Sequence, residues 1–210
     1  MARTRSCCGV ILAAGESTRM GSDKALLPWP PQGALPQETF LSAAIRSLEP
    51  FNDLVLVVVG KNESNLAPVV YACGASLVRN PDPERGQFSS LQTGLRAVLN
   101  RGRDAAMVTL VDRPPVSSST IPKLLAAFEA ATAQRKLAVI PEYGGKHGHP
   151  ILIGREMIEV FLKAPTGTTA RDVEHQYAEG IEYVPVDDPF ITLNVNTPED
   201  YAVLIAGKAV

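Results

Sequence analysis

This 210-residue sequence lacks long apolar runs, a basic excess and a paired set of cysteines. No stretch approaches the roughly 20 apolar residues that a membrane-spanning helix needs, so we expect no membrane partner. The formal net charge is −2, whereas nucleic-acid-binding proteins usually carry a basic excess, so we expect no nucleic-acid partner. The three cysteines, Cys7, Cys8 and Cys73, lack metal-ligand spacing, and their odd number favours reduced thiols in the cytoplasm.

The opening segment MARTRSCCGVILAA places two arginines before an apolar patch, which is the order found in a secretory signal peptide. The patch is short, however, and no convincing small-residue cleavage pattern ends it. The segment therefore predicts the first strand of a folded domain. We expect a soluble protein located in the cytoplasm.

Short apolar runs alternate with helical patterns through most of the chain. Runs such as LVLVVVG and AMVTLV are apolar throughout, which is typical of strands buried on both faces of a mostly parallel sheet. The predicted strands are residues 8–13, 54–60, 75–79, 105–111 and 137–141. Helices are predicted at SSLQTGLRAVLNRG, SSSTIPKLLAAFEAA and NTPEDYAVLI from apolar periodicity and capping patterns. This alternation predicts an α/β three-layer sandwich.

The pattern changes after residue 141. The segment GGKHGHPILI predicts a glycine-rich loop that enters a strand, and GIEYVPV and FITLNV predict further strands. We expect these strands to form a smaller mixed sheet beside the main one. Because neither a linker nor an internal repeat interrupts the sequence, residues 1–210 are predicted to form a single domain.

The loop GESTRMGSDK, which follows the first predicted strand, lacks both familiar phosphate-binding patterns. Its glycine spacing and its ending differ from the P-loop, and it is not the G-x-G-x-x-G of dinucleotide-binding proteins. Gly15 and Gly21 permit close backbone approach, while Arg19 and Lys24 supply positive charge. The loop is therefore suited to a triphosphate, although a solvated turn with two unrelated cations explains these residues about equally well.

The longer segment LAAGESTRMGSDKALLPW closely resembles the nucleotidyltransferase signature L-A-[AG]-G-x-S-x-R-M-G-x-x-K. Further segments are similar in the same order, namely GQFSSLQTGL, VTLVDRPPVS, GHPILI, GTTARDV and NVNTPEDY. Together they cover nearly the whole chain and most resemble the MobA-like family that attaches a nucleotide to molybdopterin. The resemblance implies a Rossmann-like fold, a Mg²⁺ cofactor, CTP as the favoured nucleotide and a molybdopterin-type acceptor. It also implies handover of the product to a molybdoenzyme or its chaperone.

The resemblance further implies a role for each matching residue. Arg19 and Lys24 would neutralise the triphosphate, and Lys24 would also stabilise charge that develops on the α-phosphate. Asp112 would bind Mg²⁺ and complete the catalytic set with these two cations. The residues implied in nucleotide binding are Leu12, Ala13, Ala14, Gly15, Arg19, Lys24, Ser89 and Ser90.

Three further residues are implied at the metal and acceptor sites. Asn196 would be a second metal ligand or would orient one, and His149 and Arg171 would lie near the acceptor. His147 and His149 are two apart, as in a metal pair, but no third ligand stands at a useful spacing.

Some of these residues also have ordinary structural interpretations. Asp112 is suited to accept hydrogen bonds from the turn that follows it, and Ser89 and Ser90 are good caps for the next helix. Arg113 stands where the resemblance predicts an apolar residue. It would either weaken the metal site by pairing with Asp112 or bind substrate phosphate.

The nucleotide and the activity each have an alternative. Asn194 and Asn196 stand where cytidylyltransferases of this type have acids, and guanylyltransferase-type members have asparagines there. The segments LAAG and GHP favour CTP. A GTP-dependent enzyme or a sugar- or polyol-phosphate nucleotidyltransferase is the first alternative, and a non-catalytic molybdenum cofactor carrier or chaperone is the second. A nicotinamide oxidoreductase is disfavoured by the missing G-x-G-x-x-G.

Overall fold

The computed structural model describes residues 7–15, 23–29 and 38–206, with the backbone alone for Ile205. Its strands are Cys7–Leu12 (β1), Pro28–Trp29 (β2), Glu38–Thr39 (β3), Leu54–Val59 (β4), Ser76–Arg79 (β5), Ala105–Leu110 (β6), Ala138–Tyr143 (β7), Lys146–His147 (β8), Ile151–Gly154 (β9) and Ile181–Pro185 (β10). Its α-helices are Phe40–Leu48 (α1), Glu63–Ala72 (α2), Gln87–Asn100 (α3), Thr120–Ala133 (α4), Arg155–Lys163 (α5), Ala170–Gln176 (α6) and Pro198–Ile205 (α7).

Eight strands form one sheet in the order β10-β7-β9-β6-β1-β4-β5, with β8 paired to β7. The pairs β1–β4, β1–β6, β4–β5 and β7–β10 are parallel. The strand β9 runs antiparallel to both of its neighbours, β6 and β7. The sheet is therefore mostly parallel around β1, as the unbroken apolar runs predict.

Two hydrophobic cores lie on opposite faces of this sheet. Alternate strand residues point to opposite faces, so Ile11 belongs to one core and its neighbour Val10 to the other. Helices α1, α2 and α4 contribute to the first core, and α3 and α5 contribute to the second. The predicted α/β three-layer sandwich is confirmed.

The small additional sheet is present, but it is built from residues other than those predicted. Strands β7, β9 and β10 from the second half of the chain join the main sheet, and the separate sheet pairs β2 with β3. The predicted strand at FITLNV is wrong, because Pro189–Ile191 forms a short 3₁₀-helix. The Asp188 carboxylate caps this turn by accepting hydrogen bonds from the Phe190 and Ser117 N–H groups and from the Thr120 hydroxyl.

A third hydrophobic cluster packs α7 and the segment before it against the β2–β3 sheet. Thr197 caps α7 through a capping box with Asp200, as predicted. Tyr201 on this helix donates a hydrogen bond to the Pro28 carbonyl at 2.9 Å. Its ring lies 6.2 Å from that of Phe40, which packs edge-on against Trp29 at 5.3 Å. These contacts fix the segment that carries Asn196.

Helix α3 lies unusually close to the sheet at Gly94. A Cβ atom placed there would come within 2.8 Å of Val10 Cγ1 and 2.9 Å of Val58 Cγ2. The missing side chain is therefore what allows this close approach.

We expect Gly94→Ala to lower the free energy of unfolding by about 1–2 kcal/mol. Overpacking the core costs about 1–3 kcal/mol, and the better helix propensity of alanine offsets part of that cost. Denaturant titration monitored by circular dichroism measures the change. Arg96→Ala on the exposed side of the same helix is the control and should unfold at the wild-type midpoint. Equal midpoints for all three proteins would contradict the close-packing argument.

None of the helices in the described ranges is both long enough and apolar enough to cross a membrane.

Candidate active site

The candidate site lies where the parallel strands β1 and β6 end side by side. The two strands are in register, with Leu12 opposite Leu110, and the Val111 N–H donates to the Leu12 carbonyl at 3.1 Å. The chain then leaves β1 through Ala14 and Gly15, and it leaves β6 through Asp112. Ligands of open α/β sheets bind beyond the carboxyl ends of the strands, so these exits mark the expected place for a site.

Lys24, Asp112 and Asn196 meet at this edge although they come from three distant parts of the chain. The Lys24 ammonium donates to Asn196 Oδ1 at 2.9 Å and lies 3.8 Å from Asp112 Oδ2. The Lys24 side chain is only 12% exposed, so its charge acts in a partly desolvated environment. One of the two predicted catalytic cations and both predicted metal ligands therefore form one cluster.

The backbone around this cluster is held by its own hydrogen bonds. The Val195 N–H donates to the Asp112 carbonyl at 2.8 Å, and the Asn196 N–H donates to Asp200 at 2.8 Å. On the other side, Asp23 accepts from the Ala25 N–H and from the Asn62 amide, which fixes the turn that begins at Lys24. The functional side chains are thus presented from anchored backbone.

A divalent cation fits the oxygen atoms of this cluster. Asp112 Oδ1 is buried and has no hydrogen-bond partner among the described residues, which is costly for a carboxylate oxygen without a cation. The Asn196 amide supplies a second oxygen nearby. Within the described ranges, no group of three or more histidine, cysteine or acidic side chains could hold a metal by itself. Mg²⁺ is commonly held in this way, by one or two carboxylates completed by substrate phosphates.

A cavity of about 270 Å³ opens directly above the cluster. Its lining residues are Leu12, Ala14, Gly15, Lys24, Pro83, Gly86, Gln87, Ser90, Leu110, Val111 and Asp112. Gly86, the N-cap of α3, has a φ of 89° and lines the cavity with Gln87 and Ser90, so the first turn of this helix borders the cavity. Helix N-termini favour anionic or polar ligands.

The two predicted nucleotide-binding serines lie in the first turn of α3 but do not cap it. The N-cap is Gly86, and Ser89 and Ser90 are both buried. The Asn80 amide donates to the two hydroxyls at 2.9 and 3.0 Å, which orients them. Ser90 reaches the cavity, whereas Ser89 lies behind it and donates to the Gly86 carbonyl at 2.8 Å.

Among the predicted nucleotide-binding residues that the structure describes, Ala13 is the other one that does not line the cavity. Its N–H donates to the Val58 carbonyl at 2.8 Å, and its carbonyl accepts from the Asn62 amide at 2.9 Å. Both backbone groups of Ala13 are therefore used by the fold. Arg19, predicted as a catalytic residue, lies outside the described residues.

A second and larger pocket of about 890 Å³ adjoins the first. The two share Leu12, Gly86, Gln87 and Leu110, so ligands in them would lie side by side. His149 and Arg171, predicted near the acceptor, both line the larger pocket.

The wall of the larger pocket also contains an aromatic pair. The His147 imidazole stacks on the Tyr183 ring at 4.1 Å, and this pair was not anticipated from the sequence. Tyr183 and His147 are far apart in the chain, and only the pairing of β7 with both β8 and β10 brings them together.

His149 is a partly buried neutral imidazole rather than part of a metal pair. Burial, followed by the nearby Arg113 cation, lowers its pKa from 6.5 to about 3, and a hydrogen bond to the Val108 carbonyl opposes this shift. The His149 Nδ1 atom lies 3.2 Å from that carbonyl, so Nδ1 carries the proton in the neutral ring.

Acidification should destabilise the fold through His149. Between pH 6.5 and about 3 the unfolded chain binds a proton on this imidazole that the folded chain does not bind. The contribution of the neutral His149 to the free energy of unfolding is therefore fully present above pH 6.5. It is lost progressively as the pH falls from 6.5 toward about 3. We expect His149→Gln to show a shallower decrease than the wild type in denaturant titrations on both sides of that pH. Identical slopes in the two proteins would contradict a neutral His149 with a lowered pKa.

A mostly parallel sheet, with Asp112 just beyond the end of β6 and the Lys24 ammonium 3.8 Å from its carboxylate, is the arrangement expected of a nucleotidyltransferase of the nucleotide-diphospho-sugar transferase fold. Residues 9–181 match the MobA-like NTP transferase domain, and the chain belongs to that family. The predicted resemblance is thereby confirmed.

The sequence is similar to curated relatives over its whole length. It is 26% identical over 194 residues to the molybdenum cofactor cytidylyltransferase of Escherichia coli (strain K12), which covers 91% of this chain and 92% of that protein. It is 27% identical over 209 residues to a probable molybdenum cofactor guanylyltransferase of Mycolicibacterium paratuberculosis (strain ATCC BAA-968 / K-10), which covers 100% of both.

Solved structures share the fold at lower identity. Rv0371c from Mycobacterium tuberculosis H37Rv superimposes with a TM-score of 0.77 at 23% identity, covering 96% of this chain and 98% of that chain. The 4-diphosphocytidyl-2C-methyl-D-erythritol synthase from Anaerococcus prevotii DSM 20548 gives a TM-score of 0.71 at 14% identity, covering 97% and 96%.

Proposed function

We propose that this nucleotidyltransferase transfers CMP from CTP to the phosphate of a molybdopterin-type acceptor and releases pyrophosphate. The observation that carries the proposal is the position of Lys24, Asp112 and Asn196 beside a cavity that adjoins a second, larger pocket. Nucleotidyl transfer needs two anionic substrates side by side. It does not need a nucleophile from the protein.

The chemistry follows from this arrangement. An oxygen of the acceptor phosphate attacks the α-phosphorus of the nucleotide, the new P–O bond forms, and the bond to the pyrophosphate leaving group breaks. The enzyme has to align the two anions and offset their repulsion. Lys24 would stabilise the negative charge that builds up on the α-phosphate. Arg19 serves the same triphosphate in this proposal.

Asp112 and Asn196 are the residues that would hold Mg²⁺. The ion supplies positive charge for phosphate oxygens, which lowers the cost of bringing the two substrates together. The unpaired buried oxygen of Asp112 supports this assignment. A structure of Rv0371c is described as a complex with manganese, and that protein shares the fold of this chain.

CTP is the nucleotide that we favour. The segments LAAG and GHP resemble those of cytidylyltransferases. GTP is the second candidate. It is favoured by the amide of Asn196 in place of an acid and by similarity to relatives named guanylyltransferases.

The larger pocket is the proposed acceptor site. His149 and Arg171 line it, and its aromatic wall of His147 and Tyr183 suits a planar heterocycle. Four cationic side chains, Arg85, Arg113, Lys146 and Arg171, line the same pocket and suit a phosphate-bearing ligand. Handover of the product to a molybdoenzyme or its chaperone in the cytoplasm completes the proposal.

Calorimetric titration with CTP, GTP, ATP and UTP, each with Mg²⁺ and with a chelator, tests the proposed nucleotide site. We expect CTP to bind most tightly and its affinity to fall when the metal is removed. Preference for GTP would keep the reaction and change the product. Failure to bind any of the four nucleotides would contradict the proposal and favour a non-catalytic cofactor carrier.

A further inference from the structure

Arg113 is a charged residue in a place where burial makes a charge costly. It directly follows Asp112 and precedes Pro114, and its guanidinium is largely removed from water. Its Nη1 donates to the Ile191 carbonyl at 2.5 Å, while its Nε is buried without a hydrogen-bond partner among the described residues. A half-satisfied buried cation reduces stability unless another group compensates it.

Arg113 stands next in sequence to a residue of the first cavity and itself lines the second pocket. Asp112 lines the cavity proposed for the nucleotide, and its neighbour Arg113 lines the larger pocket. The other cations of this pocket within the described ranges, Arg85, Lys146 and Arg171, are exposed to solvent. Arg113 is therefore the cation that lies deepest in the acceptor pocket and next in sequence to the proposed metal ligand.

Close backbone packing fixes the position of this guanidinium. The Ile191 carbonyl that accepts from Arg113 also accepts from the His149 N–H at 2.9 Å. Gly148 is pressed against the same carbonyl so closely that a Cβ atom would lie 2.3 Å from its oxygen. One edge of the guanidinium is thus held by the protein, and its remaining N–H groups are left to donate elsewhere. Arginine has five donors in a fork that matches phosphate oxygens.

We propose that Arg113 binds the phosphate of the acceptor and directs its attacking oxygen toward the α-phosphorus of the nucleotide. This inference rests on the function proposed above and adds the residue that aligns the second substrate. In the step concerned, the acceptor oxygen forms the new bond to the α-phosphorus and pyrophosphate departs with the electrons of the broken bond. Arg113 stays protonated throughout and contributes charge and alignment.

A purely structural role for Arg113 makes different predictions. If the bond to Ile191 only tied down the 189–191 turn, loss of the guanidinium would lower thermal stability and leave the affinity for the acceptor unchanged. Steady-state kinetics with variable acceptor at saturating nucleotide separate the two roles. Nucleotide binding by calorimetry and the melting temperature are measured on the same samples.

We expect Arg113→Met to raise KM for the acceptor by about tenfold to a hundredfold, since a charge-assisted hydrogen bond contributes about 1.5–3 kcal/mol. The affinity for the nucleotide should stay near that of the wild type. Arg113→Lys keeps the charge but loses the forked arrangement of donors, so its KM for the acceptor should lie between those of the wild type and Arg113→Met. Added guanidinium ion should restore part of the activity of Arg113→Ala. Arg155→Gln is the matched control, because Arg155 is exposed, pairs with Asp104 and lines neither pocket.

Two results would overturn the inference in distinguishable ways. An unchanged acceptor KM in both Arg113→Met and Arg113→Lys, together with normal transfer by the wild type, would refute the role of Arg113 alone. Absence of transfer by the wild type would refute the proposed function and this inference with it. If Arg113→Met fails to fold, the acceptor KM of Arg113→Lys and the rescue of Arg113→Ala by guanidinium ion distinguish the two roles.

Discussion

Lys24→Met will reduce kcat for nucleotide transfer by about 10²–10³-fold, which is the usual cost of removing a group that stabilises transition-state charge. The Lys24 ammonium lies at the meeting point of Asp112 and Asn196, and methionine keeps the length of the side chain without its charge. Stopped-time assays of pyrophosphate release measure the effect, and circular dichroism checks that the fold is retained.

The matched control for this prediction is Lys163→Met. Lys163 is an exposed lysine at the end of α5 and lines neither pocket, so its replacement should leave kcat within about twofold of the wild type. Near-normal turnover in the folded Lys24→Met protein would show that Lys24 is not the catalytic cation.

Asp112→Asn will reduce transfer by at least about a hundredfold and will abolish stimulation by divalent cations. Asparagine preserves the shape of the side chain, so the loss reports the missing charge. A metal ion supplies several kcal/mol of charge stabilisation in such reactions, and each 1.36 kcal/mol is about a factor of ten in rate. Titration of activity with Mg²⁺ and Mn²⁺ measures the dependence.

Asp104→Asn provides the control for the loss of one carboxylate. Asp104 is exposed and pairs with Arg155 away from both pockets, so this variant should respond to metal as the wild type does. A folded Asp112→Asn protein that keeps the wild-type metal response would remove Asp112 from the proposed metal site.

The central strands were predictable because their signal is local. Val55 to Val59 form an unbroken apolar run, and the structure buries all five residues between two layers of helices. The start of α7 was equally clear, since Thr197, Pro198 and Asp200 are chemically specific for a helix N-terminus. In these segments the local preferences of the chain agree with the final fold.

The antiparallel direction of β9 and the turn at Pro189–Ile191 were not predictable in this way. FITLNV has the composition of a strand. The Asp188 carboxylate just before it, however, accepts hydrogen bonds from Ser117 and Thr120, which are distant in sequence. The direction of β9 depends on pairing with both β6 and β7. Such long-range choices override local propensity.

The candidate site likewise combines residues that the sequence identifies with contacts that only the folded structure shows. Lys24, Asp112 and Asn196 are each recognisable by motif, but only tertiary structure brings the Lys24 ammonium within 2.9 Å of the Asn196 amide. Asn80, which orients both serines of α3, stands in no recognised motif. Sequence therefore indicates the chemistry of the site, while the hydrogen-bond partners that position it emerge from the fold.

The most direct test of the account is to incubate the purified protein with Mg²⁺, a molybdopterin acceptor and each of the four nucleoside triphosphates. Mass spectrometry then identifies the product, and a coupled assay counts pyrophosphate. We expect a cytidine dinucleotide of the acceptor and an equal amount of pyrophosphate, both lost in Lys24→Met. If neither a dinucleotide nor pyrophosphate forms from any of the four nucleotides, the proposed function is wrong.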